Sequence, residues 1–374
     1  MERPDHILRA LNSAGFEAYY VGGCVRDTLL SRPIHDWDIC TSALPEETAS
    51  VFPHCIPTGI RHGTVTVVED RAQYEITTFR SDGTYRDNRH PEQVSFVRSL
   101  REDLSRRDFT VNAMAMDVHG AVTDLFGGRE DLRARILRCV GEPNLRFRED
   151  ALRMLRALRF SAQLGFSVEE KTFTAITENA GLCASLSAER VRDETEKTLC
   201  SPMPQTVAQM CEMGLLRAVG IKGAPDLSSL SGLPAARTVR WAAFFRACPE
   251  ASWQMLRLDR KTGELAKLAA SLSEPADRLE WKRRIGTYGR EAALCAAALY
   301  DAEETVRRIL SSGECVSLRE LAVSGADFPA LSGREVGQML QKLLDHVLQT
   351  PSDNKRETLL RLAEKFLEKS ENNA

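Results

Sequence analysis

Apolar and polar positions run in two rhythms along this chain. His6 to Ala14 repeats its apolar residues at the three-to-four spacing of a helix. Ala18 to Val21, Asp36 to Cys40, Gly63 to Val68 and Gln73 to Phe79 are short runs of strand type. Short strands interleaved with helices predict an α/β or α+β head over residues 1–140. From about residue 141 the rhythm is helical almost without break. Arg148 to Phe160 is strongly amphipathic, with Ala151, Leu152, Met154, Leu155 and Leu158 as its expected buried stripe. Gly220 to Arg237, rich in Gly, Ser, Pro and Ala, reads as a linker, and further breaks near Ser273, Ser311 and Thr350 separate later helices.

With 374 residues the chain is too long for one ordinary core. No apolar run approaches the eighteen or more residues that span a bilayer. The opening residues carry no apolar signal core, so the expected location is the cytoplasm, with no membrane partner. The ten cysteines are scattered, none closer than Cys200 and Cys211, and this predicts buried reduced thiols instead of disulfides or a zinc site. Six of the seven histidines precede residue 120, which argues against a histidine-based metal hydrolase in the C-terminal half. A net charge of −3 does not advertise a nucleic-acid partner. Local charge does: Arg98 to Arg159 holds thirteen arginines and no lysine against ten acids. Arginine is suited to bidentate recognition of phosphates and base edges. The plainer reading is a salt-bridged, solvated helix face.

The candidate chemistry starts at Val21-Gly22-Gly23-Cys24-Val25-Arg26-Asp27. A strand, a diglycine turn and the first turns of a helix outline a phosphate cradle, because helix N-terminal N–H groups favour anions and glycine admits close approach. Then come Asp36 and Asp38. On a strand, residues two apart share a side, so the two acids face one way while Trp37 and Ile39 face the core. Paired carboxylates repel unless a cation lies between them, and such oxygen-rich sites suit Mg²⁺ held partly by substrate phosphates. Glu75, on a strand able to run beside the aspartates, is the candidate third carboxylate. Taken alone, each piece also fits an ordinary turn or a solvated strand face.

Three later stretches add to this. Asp82 to Gln93 is a long polar loop in which Tyr85, Arg86, Arg89 and His90 could meet substrate. In Arg106-Arg107-Asp108 a functional version would put one arginine on a triphosphate and pair the other structurally. Asp150 and Arg153, three apart on a helix, are either an ordinary ion pair or a joint donor and acceptor for a nucleobase edge. Asp124 to Gly128 reads as a simple connection between a strand and a helix.

In order, Gly22-Gly23-x-Val25-Arg26-Asp27 with Asp36-x-Asp38, Arg106-Arg107-Asp108-x-x-x-Asn112, Asp124-x-x-Gly127, Glu149-Asp150-x-x-Arg153 and Ser187-Ala188-Glu189-Arg190-Val191-x-x-Glu194 resemble the motifs of the class II nucleotidyltransferases, the CCA-adding enzymes and bacterial poly(A) polymerases. The resemblance is close over residues 6–220 and looser at Leu321 to Asp327 and Gly333 to Gly337. It implies an α+β polymerase-β-like nucleotidyltransferase head (1–140) followed by an all-helical neck that selects the nucleotide (141–220), a helical body (221–310) and a helical, tRNA-binding tail (311–374). Asp36 and Asp38 would hold Mg²⁺, with Glu75 a further catalytic carboxylate. Gly23 and Arg26 would meet sugar and phosphates, and Arg107 the phosphates. Asp150 and Arg153 would read the base of CTP or ATP, supported by Arg156 and Arg159. The partners so implied are the tRNA 3′ end, CTP and ATP, and a homodimer is compatible with the reading.

Within the family, Pro57 to Val67 replaces the Gly-Arg-Arg-Phe type of signature of poly(A) polymerases, and the C-terminus is not basic, which favours CCA addition. The full-length Asp82 to Gln93 stretch favours CCA or terminal-A addition over CC addition. A non-catalytic RNA-binding relative would be expected to lose a metal carboxylate, and both are present.

Overall fold

The structure, a computed structural model, describes residues 3–69, 72–82, 94–223 and 225–371. The chain divides into two compact units, residues 1–224 and 225–374, and the division falls inside the Gly220 to Arg237 stretch.

The first unit opens with α1 (Asp5–Ser13), β1 (Ala18–Val21), α2 (Gly23–Leu29), β2 (Ile39–Thr41) and α3 (Pro45–Val51). It continues through β3 (Cys55–Gly59), β4 (Thr64–Glu69) and β5 (Ala72–Thr78), then β6 (Arg80–Asp82) and β7 (Val94–Phe96), which pair only with each other. Next come α4 (Leu100–Ser105), β8 (Met114–Met116), β9 (Val122–Asp124) and α5 (Gly128–Ala134). One seven-stranded sheet of order β3-β4-β5-β2-β1-β8-β9 organises this part. Because β2 and β5 run parallel with Ile39 opposite Ile76, Asp38 and Glu75 occupy equivalent positions on neighbouring chains of the sheet. Val21, Cys40, Phe79, Leu104 and Ala115 form a core cluster that holds β1, β2, β8 and α4 together.

The aspartate strand is shorter than its pattern suggests. Pairing begins at Ile39, so Asp36 to Asp38 is an extended lead-in, tied to β1 by the Val21 N–H donating to the Asp38 carbonyl at 3.0 Å. The alternation nevertheless holds: Trp37 and Ile39 are buried and the two aspartates are exposed. The Pro45–Val51 helix and the Cys55–Gly59 strand have no counterpart in the sequence reading.

The helical part of the unit consists of α6 (Pro143–Glu149), α7 (Leu152–Leu164), α8 (Glu170–Asn179), α9 (Ala188–Leu199) and α10 (Thr206–Glu212). The strands β10 (Ile136–Leu137) and β11 (Ser167–Val168) pair in parallel across its start. Here one expectation is corrected. Arg148 to Phe160 is not a single helix: Asp150 adopts φ −144° and ψ 106°, which ends α6, and its carboxylate accepts from the Leu152 N–H at 3.0 Å at the start of α7. A short Asp side chain competes with helical backbone bonds in this way. The apolar stripe survives the break, with Ala151, Leu152, Met154, Leu155 and Leu158 all buried.

Asp124 does more than mark a connection. Its carboxylate accepts from the N–H groups of Gly128 and Arg129, both at 2.9 Å, and so satisfies the opening of α5. Gly128 is required for packing, since a Cβ there would stand 2.3 Å from the Thr110 carbonyl oxygen.

Among its described residues the second unit is helical: α11 (Arg237–Ala247), α12 (Arg260–Ser271), α13 (Arg278–Tyr288), α14 (Arg290–Ala298), α15 (Glu303–Ser311), α16 (Gly333–Gln349) and α17 (Arg356–Glu371). Trp241, Phe244 and Phe245 of α11 pack ring to ring at the centre of its core, with centroids 5.5 to 6.0 Å apart. All ten cysteines carry free thiols and eight are buried. No helix among the described residues is long and apolar enough to cross a membrane.

Candidate active site

A cleft of about 610 Å³ opens between the sheet and the helices α7 and α9 of the first unit. Gly23, Arg26, Asp36, Asp38, Arg107, Asp150, Arg153, Arg156 and Arg159 all line it, although they span more than 130 positions of sequence. Glu75 lines an adjoining recess that shares Asp38, Arg106 and Arg107 with the cleft. The Tyr85 to His90 segment expected beside the substrate lies outside the described residues.

At the turn, Gly22 has φ +75°, and a Cβ there would meet Arg107 Nη1 at 3.3 Å and Asp38 Oδ2 at 3.5 Å. The backbone angle is what calls for glycine, since a Cβ would only touch Asp38 and shift the end of the Arg107 side chain slightly. Among the described residues nothing donates a hydrogen bond to the carboxylates of Asp36, Asp38 or Glu75. Crowding by surrounding protein raises the Asp38 pKa above the usual carboxylate value, Glu75 and Asp36 add to the rise, and Arg107 opposes it. Unpaired, mutually repelling acids of this kind match a cation. Among the described residues no three His, Cys, Asp or Glu side chains converge closely enough to enclose a metal on their own.

The arginines are held individually. Arg26 grips Asp27 with two N–H groups, at 3.0 and 2.8 Å, and donates to Asn112 Oδ1 at 2.7 Å. Arg106 and Arg107 both bind the fully buried Asp103, Arg106 through two N–H groups at 3.0 and 2.8 Å and Arg107 through one at 3.0 Å, and both also line the cleft. Arg107 Nε is buried without an acceptor. Burial alone would raise the Asp103 pKa, but the Arg107 and Arg106 charges outweigh it and hold the carboxyl below its ordinary value.

Asp150 and Arg153 are not partners of each other, contrary to the ordinary helix pair. Asp150 Oδ2 accepts from Arg190 of α9 at 2.8 Å. Arg153 donates to Glu149 at 2.6 Å and to the Arg106 carbonyl at 3.1 Å. The helix break at Asp150 separates the two side chains. Arg156 donates to the buried Asp108 at 2.7 Å, and Arg159 to the buried Glu194 at 2.5 Å. Burial would raise the Asp108 pKa, yet Arg156 holds it below the usual range. Asp103, Asp108, Asn112, Arg190 and Glu194 are the anchors, and sequence reasoning assigned them no role. Lys197, which also lines the cleft, was missed altogether. The i to i+4 spacing of Arg190 and Glu194 on α9 is the one local signal that both could face α7.

Residues 18–138 match the family described as the poly A polymerase head domain, and residues 165–223 match the probable RNA and SrmB-binding site of polymerase A. A CCA-adding enzyme of Geobacillus thermodenitrificans is 42% identical, the match covering 91% of this chain and 90% of the relative. The chain belongs to the CCA-adding enzyme family. Among solved structures, the crystal structure of the Bacillus stearothermophilus CCA-adding enzyme in complex with CTP is 36% identical, covers 100% of both chains and superposes with a TM-score of 0.86. The Thermotoga maritima CCA-adding enzyme complexed with tRNA, 21% identical with a TM-score of 0.68 over 97% of this chain and 94% of that one, shares the fold. Membership of the CCA-adding enzyme family makes this chain a nucleotidyltransferase and implies use of a divalent metal. Asp150 to Arg159 lies between the two matched segments, so the arrangement of those residues rests on the tertiary structure.

Proposed function

We propose that this chain adds C, C and A to the tRNA 3′ end without a nucleic-acid template, taking the nucleotides from CTP and ATP and releasing pyrophosphate. The observation that carries the reading is one cleft that joins the Asp36 and Asp38 carboxylates, a cluster of fixed arginines, and the Asp150 and Arg153 side chains on separate anchors. In the reaction a bond forms between the tRNA 3′ oxygen and the α-phosphorus, and the bond from that phosphorus to the β-phosphate oxygen breaks.

Asp36 and Asp38 would hold Mg²⁺, with Glu75 contributing negative charge from the neighbouring strand. When bound, the metal lowers the pKa of the attacking hydroxyl and neutralises charge on the phosphates and leaving group. Arg107, which lines the cleft, would bind triphosphate oxygens, and Gly23 and Arg26 the adjoining sugar and phosphates. Arg156 and Arg159 support this cationic wall through Asp108 and Glu194. Asp150 would accept from the exocyclic amine that both cytosine and adenine carry, while Arg153 donates to ring nitrogen or carbonyl acceptors. Uracil and guanine place a carbonyl where the amine is required, so a site built for the amine discriminates against them.

In this reading residues 1–140 perform the chemistry, 141–220 select the nucleotide, 221–310 form the body and 311–374 engage tRNA, with the reaction taking place in the cytoplasm. Incubating the protein with Mg²⁺ and tRNA ending at the discriminator base, tRNA ending in CC, or an unstructured RNA tests it. With CTP and ATP together the first should gain CCA and the second A. Addition of C alone, of A alone to the CC-ended tRNA, or of poly(A) to any RNA would each replace the reading with a different activity.

A further inference from the structure

Three guanidinium groups, two from α7 itself and one from the distant α2, converge on one ring. The Phe160 centroid lies 3.6 Å from Arg159 Cζ, 5.1 Å from Arg156 Cζ and 5.3 Å from Arg26 Cζ. Phe109 meets the same ring edge-on at 5.8 Å and 80°. Phe160 is 93% removed from solvent, yet it lines the cleft together with all three arginines.

Like charges so close would spread apart if nothing held them. Each has an acid or amide at its outer edge: Asp27 and Asn112 for Arg26, Asp108 for Arg156, Glu194 and Gln163 for Arg159. Asn112 also donates to Asp108 at 3.3 Å, which links the Arg26 and Arg156 anchors. Those bonds fix the outer edges. The electron-rich ring supplies attraction from the centre, since guanidinium groups within about 6 Å of an aromatic centroid are stabilised by its quadrupole. An aliphatic side chain of similar size would fill the volume without that attraction.

We propose that Phe160 is a positioning residue for the nucleoside triphosphate, its ring setting the spacing of Arg26, Arg156 and Arg159 so that the phosphates meet fixed cations whichever base they carry. This rests on the reading of the cleft as the CTP and ATP site. The ring reaches the phosphates only through the arginines, so its influence is on triphosphate binding and not on the choice of base.

The test compares Phe160→Leu, which keeps apolar volume, with Phe160→Tyr, which keeps the ring. KM and kcat are measured for CTP and ATP, with inhibition by inorganic pyrophosphate and thermal unfolding in parallel. In Phe160→Leu, KM for both nucleotides and the pyrophosphate inhibition constant should rise together by about tenfold, the loss of two or three cation–π contacts. The preference for CTP over UTP should be unchanged, and Phe160→Tyr should restore values near those of the unsubstituted protein. Unchanged pyrophosphate inhibition in folded Phe160→Leu, or unequal effects on CTP and ATP, would overturn the proposal. Should Phe160→Leu fail to fold, Phe160→Met, whose flexible chain refills irregular space, is measured against the same outcomes. Failure of pyrophosphate to compete with CTP in the unsubstituted protein would instead overturn the reading of the cleft.

Discussion

Replacing Asp150 with Asn keeps the side-chain shape and removes one charge, which isolates the part that charge plays in choosing a base. Asp150 has two bonds to lose: Oδ1 accepts from the Leu152 N–H at 3.0 Å, and Oδ2 from Arg190 Nη2 at 2.8 Å. An Asn can keep the first only by turning its amide N–H₂ toward Arg190, where two donors then face each other. Arg190 Nη1 is already buried without an acceptor, so the guanidinium has little compensation. Both side chains are mostly enclosed, 23% and 19% exposed, so a charged hydrogen bond of about 1.5 to 3 kcal/mol is the stability at stake. The selectivity at stake is separate. An amide can present either donor or acceptor to a base edge, so the requirement for an exocyclic amine relaxes by about 1 to 3 kcal/mol, or about 5- to 150-fold. The assay is kcat/KM for single incorporations of CTP, UTP, ATP and GTP on the matching tRNA ends, with thermal unfolding measured alongside. The CTP to UTP ratio should collapse toward unity while tRNA affinity holds. An unchanged ratio in folded Asp150→Asn protein would refute the base-reading role.

Asp38→Ala should abolish incorporation with Mg²⁺ while tRNA still shifts in a gel assay; retained turnover would remove Asp38 from the metal site. Glu194→Ala strands the buried Arg159 guanidinium and should cost about 3 to 5 kcal/mol of stability in denaturant unfolding, the range for breaking a buried ion pair from one side. A loss below about 1 kcal/mol would show that solvent or Gln163 takes over the charge, contrary to the buried-pair argument. Acid stability follows from Asp103 and Asp108, whose folded pKa values both lie below the ordinary 3.8. The unfolded chain therefore binds protons more readily, so their contribution is complete above about pH 4 and is lost as pH falls through the depressed values. Asp108→Asn should flatten that acid limb in unfolding measured from pH 5 to 2, and an unaltered limb would assign it to other groups.

Much of the site was legible because its signals are local. A diglycine turn after a strand, two aspartates with Trp37 between them, and a run of arginines without lysine each depend on spacing of a few residues. Alternation alone placed Asp36 and Asp38 on one side, even though the pairing of β2 starts later, because side-chain direction follows backbone extension and not ladder bonds. The apolar stripe of Ala151 to Leu158 was legible for the same reason, as was the burial of the thiols.

Contacts between distant segments were not. Parallel pairing of β2 with β5 is what brings Glu75 beside Asp38, and no local pattern specifies which strands become neighbours. Asp150 and Arg153 look like a helix pair by spacing, but the capping bond from Leu152 ends the helix between them, and each then takes a partner that only folding supplies, Arg190 from α9 for one and the Arg106 carbonyl for the other, Arg153 adding its four-residue neighbour Glu149. The same holds for Arg26, which only the fold brings from α2 to Phe160, whereas Asp103 with Arg106 and Arg107, and Arg156 with Phe160, are neighbours at three- and four-residue spacing. By itself the sequence determined which side chains could do the chemistry, because composition and short-range periodicity decide what each element can present. The tertiary structure decided which of them are anchored and which face the cleft, because burial makes an unpaired charge costly and every buried arginine must find its acid wherever the fold delivers one.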